Sequence, residues 1–237
     1  MKRLPLLLLA VCMPSACSAP APTWVRTGVI TPGTTISVRN VAGDIDAYAP
    51  ARGQPANQYT LAVYAPGNAA AAVSVRVRPP LITAQSNVPG VRFLIRAPSG
   101  SSLDVTTQRG NVNVADVDGV INAHADSGDI KMLIPQYGNA STGTGNISVI
   151  YASADWPGTV RFTADRGNIE LYVNEHAQAR VHLHTDNGTV FSDFNIRGTS
   201  HGTAETIDSA INGGGPRVVY ASVHTGSIRL MQLKPQI

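Results

Sequence analysis

His182 and His184 stand two residues apart in Arg180-Val181-His182-Leu183-His184-Thr185-Asp186, and a period of two puts both imidazoles on one face of a strand. Two imidazoles are half of a zinc site, but no third ligand follows at a zinc-like spacing, so the pair reads as polar groups on a solvated strand face. Carboxylates raise a second chemistry. Asp126, Asp165 and Asp186 each precede a glycine by two residues, and stacking of successive strands would bring Asp165 and Asp186 to about 5 Å, a distance suited to calcium or to a glycosidase pair. Against that, Gly143 interrupts the column, Arg166 sits beside Asp165, and an Asp at a corner is employed in bonding backbone amides. Neither metal nor cofactor is expected. Serine, histidine and aspartate are common along the chain, yet there is no nucleophile elbow, phosphate loop or dinucleotide fingerprint, and no catalytic residue is assigned.

The elements that must carry these residues form a repeat. The phrase Asp126-Ser127-Gly128-Asp129-Ile130 recurs in variant form around Gly43, Gly110, Gly128, Gly145, Gly167, Gly188 and Gly226, always with a polar residue and then a β-branched one after the glycine. From Gly110 to Gly188 the steps are 18, 17, 22 and 21 residues, and the last step of 38 has room for two units. Glycine permits positive φ at a sharp corner, and the Asp, Asn, Ser or Thr beside it can bond nearby backbone, so each phrase is read as a structural corner between two strands. Val160, Phe162 and Ala164 alternate with polar residues before Gly167, as do Ile169, Leu171 and Val173 after it. Such alternation means one buried face per strand. The fold expected is all-β: a β-solenoid or single-stranded β-helix with coils of about 17–22 residues, in which like residues stack coil upon coil. Residues 57–100 lack the corner phrase and are expected to be less regular N-terminal coils or a cap; helix should be nearly absent.

This register also fixes the outer faces. Before the corners it exposes Asn122, His124, Asn139, Ser141, Arg161, Thr163, His182, His184 and Tyr220. Among these, Asn122, His124, Arg161, Thr163, His182, His184 and Tyr220 are the candidate binding face for a glycan or a protein. After the corners the outward residues are Ala115, Leu133, Ile150, Tyr172 and Met231, apolar on the side that should meet water. Apolar residues on both faces imply a cover. Either residues 57–100 pack over the stripe, which is the preferred expectation, or an oligomer forms through Leu133, Ile150 and Tyr172. Among the connections, Asp193–Pro216 alone is long enough to project, and it is expected to be a loop covering the end of the stack.

Residues 1–16 have a basic start at Lys2 and Arg3 and an apolar run from Leu4 to Val11, which suits a secretory signal and is too short for a membrane span. Ser15-Ala16-Cys17 resembles a lipobox, with Pro14 where that motif prefers Leu, and makes Cys17 the expected lipidation site. Cys12 is a second candidate, weakened by Val11. Residues 17–23, with Pro20 and Pro22, read as a tether, and 24–237 as a single domain. Both cysteines fall in the N-terminal segment, so the mature chain has no internal disulfide. Loss of residues 1–16 removes two bases and no acid, lowering the formal net charge from +3 to +1. With so weak a balance and dispersed arginines, a nucleic-acid surface is not expected.

The run Arg96–Val105, the repeated Gly-Asp/Asn-Ile/Val corners, and Gly213-Gly214-Gly215-Pro216 ahead of Gly226-Ser227-Ile228 together resemble the bacterial putative-adhesin family of β-strand-repeat proteins, over roughly residues 30–232. The resemblance implies an exported protein built as a β-solenoid or single-stranded β-helix; with the lipobox-like Ser15-Ala16-Cys17, the expected location is the periplasm or outer membrane, held by a lipid anchor. The function of that family is not established, and its adhesin name is a fold-level analogy. Three readings follow: a non-catalytic envelope-anchored binding protein, a polysaccharide-active β-helix enzyme, and a structural or stress accessory protein. An enzyme needs a groove with converging acids, which short coils do not build.

Overall fold

The computed structural model describes residues 21–234; residues 1–16, expected to be a signal segment, and Cys17 lie outside them. The described chain is all-β, arranged as two large mixed sheets: a front sheet of eleven strands and a back sheet of ten. Helix is confined to one 3₁₀ stretch, Gly67–Ala72, and no helix among the described residues is long and apolar enough to cross a membrane.

Each corner carries the chain from the front sheet to the back sheet. Val120–Ser127 turns at Gly128 into Ile130–Ile134, Tyr137–Thr144 at Gly145 into Ile147–Tyr151, and Thr159–Arg166 at Gly167 into Ile169–Asn174. Successive units pair in parallel with like residues aligned: Ile130 beside Ile147, Ile147 beside Ile169, and Ile169 beside Ile228. The alternation in sequence therefore becomes two inner faces packed on each other. Ile121, Ala123 and Ala125 face in from the front strand, Ile130, Met132 and Ile134 from the back, and all are buried. Tyr151, Phe93 and Phe162 are the largest fully buried side chains.

Close backbone approach, more than dihedral angle, makes the corners glycine. A Cβ on Gly128 would lie 1.9 Å from the Gly110 carbonyl oxygen, and one on Gly167 1.8 Å from that of Gly145. Gly188 lacks the positive φ of the other corners, yet a Cβ there would stand 1.9 Å from the Gly226 oxygen. The next residue builds a ladder. Asp44 Oδ1 accepts the Asn111 amide, Asn111 Oδ1 that of Asp129, Asp129 Oδ1 that of Asn146, Asn146 Oδ1 that of Asn168, and Asn168 Oδ1 that of Ser227, all between 2.8 and 3.0 Å. Each side-chain acceptor thus satisfies an amide of the neighbouring unit that the ladder leaves free at the bend.

The order of units departs from the sequence. Val218–Thr225 lies between Thr159–Arg166 and Ala179–Asn187 in the front sheet, and Ile228–Leu233 between Ile169–Asn174 and Val190–Ser192 in the back sheet. The corners stack as Gly43, Gly110, Gly128, Gly145, Gly167, Gly226, Gly188. Asp165 and Asp186 are consequently not neighbours; a strand carrying His224 separates them. The 38 residues between the last two corners do not hold two units either. Ala204–Ile211 pairs antiparallel with Ala179–Asn187, and Thr199–His201 folds back on it. Within 193–216, Thr199–His201 and Ala204–Ile211 thus cap the stack as paired strands where a loop was expected.

Residues 57–100 do not pack over the apolar stripe, contrary to the sequence-based expectation. They extend both sheets at the N-terminal end. Gln58–Tyr64 joins Arg92–Arg96 and Trp24–Val29 in antiparallel fashion, and Val73–Arg78 pairs antiparallel with Leu81–Pro89. On the open back face Leu133 pairs with Ala115 and Ile150, Ile150 with Tyr172, and Tyr172 with Met231. These side chains are half-buried because each leans on its neighbours at the strand spacing.

Candidate functional site

The outer face of the front sheet gathers every residue of the candidate binding face. Period two points them outward from Val120–Ser127, Thr159–Arg166, Ala179–Asn187 and Val218–Thr225, and parallel register sets them in rows. One row runs Asp104, Asn122, Asn139, then Arg161, Tyr220, His182 and Asp208; the next runs Thr106, His124, Ser141, Thr163, Ser222, His184 and Thr206. The insertion of the last unit puts Tyr220 between Arg161 and His182, which sequence order alone would have made neighbours.

In the first row the groups support one another. Asn139 donates to Asn122 Oδ1 at 3.0 Å and accepts the Arg161 amide at 2.9 Å. The His182 ring stacks on Tyr220 with centroids 5.1 Å apart and planes at 14°, and the Arg161 guanidinium lies 5.1 Å from the same ring on its other side. Both faces of Tyr220 are therefore occupied. What the row offers solvent is a comb of amide, guanidinium, phenol and imidazole edges, not an open aromatic platform.

The second row holds two hydroxyl–imidazole–carboxylate chains. Ser141 Oγ lies 2.7 Å from His124 Nδ1, and His124 Nε2 2.8 Å from Asp126 Oδ1. Thr206 Oγ1 lies 2.7 Å from His184 Nδ1, and His184 Nε2 2.9 Å from Asp186 Oδ1. A carboxylate only accepts, so in the neutral imidazole Nε2 carries the proton and the hydroxyl donates to Nδ1. Asp186 also accepts from His224 Nδ1 at 2.9 Å. These hydrogen bonds, that of His224 first and that of His184 second, hold the Asp186 carboxyl below its ordinary range. The order hydroxyl, imidazole, acid matches a hydrolytic triad. The setting does not: Asp126 and Asp186 are more than half exposed, and the surrounding backbone amides are consumed by the sheet ladders, parallel around His124 and antiparallel between His184 and Thr206, leaving no pair aimed at an oxyanion. Here the chains orient imidazoles.

A trough of about 360 Å³ runs between the rows, lined by Asp104, Asn122, His124, Asn139, Ser141, Arg161 and Thr163. Among the described residues no group of three or more His, Cys, Asp or Glu is placed to hold a metal ion. Sequence reasoning missed His224, Asp208 and Thr206. His224 was accessible, two register steps beyond Tyr220; Asp208 and Thr206 were not, because their strand was expected to be loop. Cys17 lies outside the described residues.

No family model and no curated protein matches this chain. Solved structures do. A putative cell adhesion protein from Clostridium sporogenes is 10% identical, aligns over 89% of this chain and 99% of its own, and superposes with a TM-score of 0.51. A putative adhesin from Bacteroides fragilis aligns over 91% of this chain and 100% of its own at 12% identity, with a TM-score of 0.36. One from Parabacteroides distasonis covers 89% and 96% at 14% identity, with a TM-score of 0.30. The fold built from the repeated corners is thus one that a solved bacterial protein, named for cell adhesion, also adopts.

Proposed function

We propose that the chain is an exported, envelope-anchored β-solenoid without catalytic function, whose front face binds a glycan or a protein of the cell envelope. The stacking of two-strand units with aligned corners supports the solenoid reading, with residues 24–237 as one domain. The observation that carries the binding role is the row Asn122, Asn139, Arg161, Tyr220 and His182. It sets hydrogen-bonding groups at the strand spacing of about 4.8 Å along a straight line, which suits an extended polar chain laid across the strands. Direct and water-mediated hydrogen bonds from such a face give specificity without a deep pocket. Export and anchoring rest on residues 1–16 as signal and on Cys17 as lipid attachment, with 17–23 as tether.

A glycan array and an envelope pull-down with wild type and with Arg161→Ala/Tyr220→Ala test the binding role. Ligands retained by wild type and lost by the variant support it; identical profiles refute it. Labelling of cells with a palmitate analogue tests the anchor. Wild type takes up label and Cys17→Ala does not.

A further inference from the structure

We infer that the N-terminal end of the stack lies against an anionic lipid surface, an inference that rests on the envelope anchor just proposed but draws on a different part of the molecule. Charge is divided along the chain. Residues 21–100 carry seven arginines against Asp44 and Asp46, a net charge of +5, whereas residues 101–234 carry nine basic and thirteen acidic residues, a net of −4. The two acids do not neutralise that end. Asp46, nearly buried, is held by Arg92 at 2.6 Å and by Asn113 at 2.9 Å, and Asp44 Oδ1 belongs to the corner ladder. Arg26, Arg39, Arg52, Arg76 and Arg78 form no ion pair among the described residues.

The topology collects four of these five at one end. Arg76 and Arg78 lie on Val73–Arg78, the edge strand of the front sheet, and Arg39 two strands inward; Arg26 lies on Trp24–Val29, the edge strand of the back sheet. The Arg26 guanidinium reaches the Val75 carbonyl at 3.5 Å, bridging the two sheets at their open end. Arg39 and Arg76 line a trough of about 400 Å³ with Ser37, Thr83 and Asp104; the two guanidiniums outnumber the one carboxylate, and with the hydroxyls they are donors that match phosphate oxygens. A second observation concerns apolar groups. Val25, Val29 and Leu81 are 51%, 68% and 42% exposed at this same end. Arginine beside exposed aliphatic side chains suits the boundary between headgroups and acyl chains, where each finds its own medium.

The chain's route to the anchor leaves from here too. Trp24 opens the edge strand seven residues after Cys17, so a lipid on Cys17 keeps this end within about 25 Å of the bilayer even with the tether fully extended. The tether thus lets the end reach the surface, and within about 10 Å of it an anionic leaflet attracts each arginine, multiplying binding roughly fivefold per residue brought there.

The test uses the full chain carrying Cys17→Ser, so that no lipid contributes, sedimented with vesicles of phosphatidylcholine alone or with added phosphatidylglycerol. The apolar leader is common to every sample, and the difference between the two lipids isolates the basic end. Stronger binding to the anionic vesicles, weakened by salt and reduced roughly a hundredfold by Arg39→Gln/Arg76→Gln/Arg78→Gln, is expected. Arg166→Gln/Arg180→Gln/Arg197→Gln, which removes the same charge toward the other end of the stack, should bind as the parent does. Equal binding to both lipids, or equal loss from both triple variants, overturns the inference. So does a parent that self-associates through the basic end, seen as a mass increase with concentration that only the first triple variant abolishes, since the occupant would then be the acidic end of another copy. Palmitate labelling reads the anchor separately, so an unlabelled Cys17 would remove the anchor without deciding the vesicle result.

Discussion

His224 Nδ1 donates to Asp186 Oδ2 across 2.9 Å, although the two residues are 38 apart in sequence. The bond exists because the last unit sits beside Ala179–Asn187. It also depresses the Asp186 carboxyl. A carboxyl whose folded pKa lies below its unfolded value stabilises the fold above the ordinary range near about 4, and that contribution disappears as pH falls through the folded value. For a solvent-exposed group the effect on stability is small. The titration itself is the sensitive readout: in His224→Ala the Asp186 carboxyl carbon, followed by NMR, should titrate at higher pH than in wild type. An unchanged midpoint would mean that the two side chains are not bonded in solution.

Inward and outward positions of one strand should respond in opposite ways. Ile147 is fully buried between Ile130 and Ile169, and Ile147→Asp leaves a carboxylate without a partner, a loss of more than about 4 kcal/mol that unfolds the domain. Ile169→Asp should do the same. Ser148, outward between Lys131 and Glu170, meets one charge of each sign, so Ser148→Asp should leave the thermal midpoint nearly unchanged.

Gly188 separates the two reasons for a corner glycine. Its φ is ordinary, so Gly188→Ala carries only the clash with the Gly226 oxygen, and about 2 kcal/mol or more of stability should be lost because backbone on backbone cannot give way. Gly53 is the converse, with φ of +81° and nothing near its Cβ; Gly53→Ala should cost about 1 kcal/mol of dihedral strain. Chemical denaturation of both variants checks the order.

Ser141, His124 and Asp126 provide the strictest test of the non-catalytic reading. With the neighbouring amides engaged in the ladder, a fluorophosphonate should not label Ser141, and ester turnover should match that of Ser141→Ala. Covalent labelling at Ser141 would make the front face an active site.

Among the described residues nothing covers the back-face column of Leu133, Ile150 and Tyr172. Ile150→Lys should therefore fold with a loss of about 1 kcal/mol from its half-buried contacts. If copies join through this face, light scattering will show a wild-type oligomer and a monomeric variant; a wild-type monomer would end that proposal.

The alternation of Val160, Phe162 and Ala164 with polar residues made the strands, their buried faces and the outward row readable from sequence, because side-chain period is a local property of the chain. Unit order was not local. Ile228 fits against Ile169 and Val190 alike, and corner phrases so similar carry no address, so nothing in the sequence said that the last unit would enter between two earlier ones. The hairpin at 199–211 was overlooked for a different reason: its strands are antiparallel and need no corner glycine, although Ile207 and Ile211 do face inward. The site suffered accordingly, since Asp186 was matched with Asp165 when its actual neighbour is His224.

The insertion of residues 218–233 also bears on how the protein is made. Synthesis delivers Ala179–Ser192 before Val218 exists, and at that moment the free edge of the growing stack is Thr159–Asn174. Gly188 could seat on Gly167 there, in good register and in the wrong slot, and the final strands would then have to pry the two apart. Parallel pairing across so long a separation is slow in any case. A cell that holds the chain extended until Ile228 has emerged, as translocation of an unfolded polypeptide does, removes the competition by releasing all the strands at once.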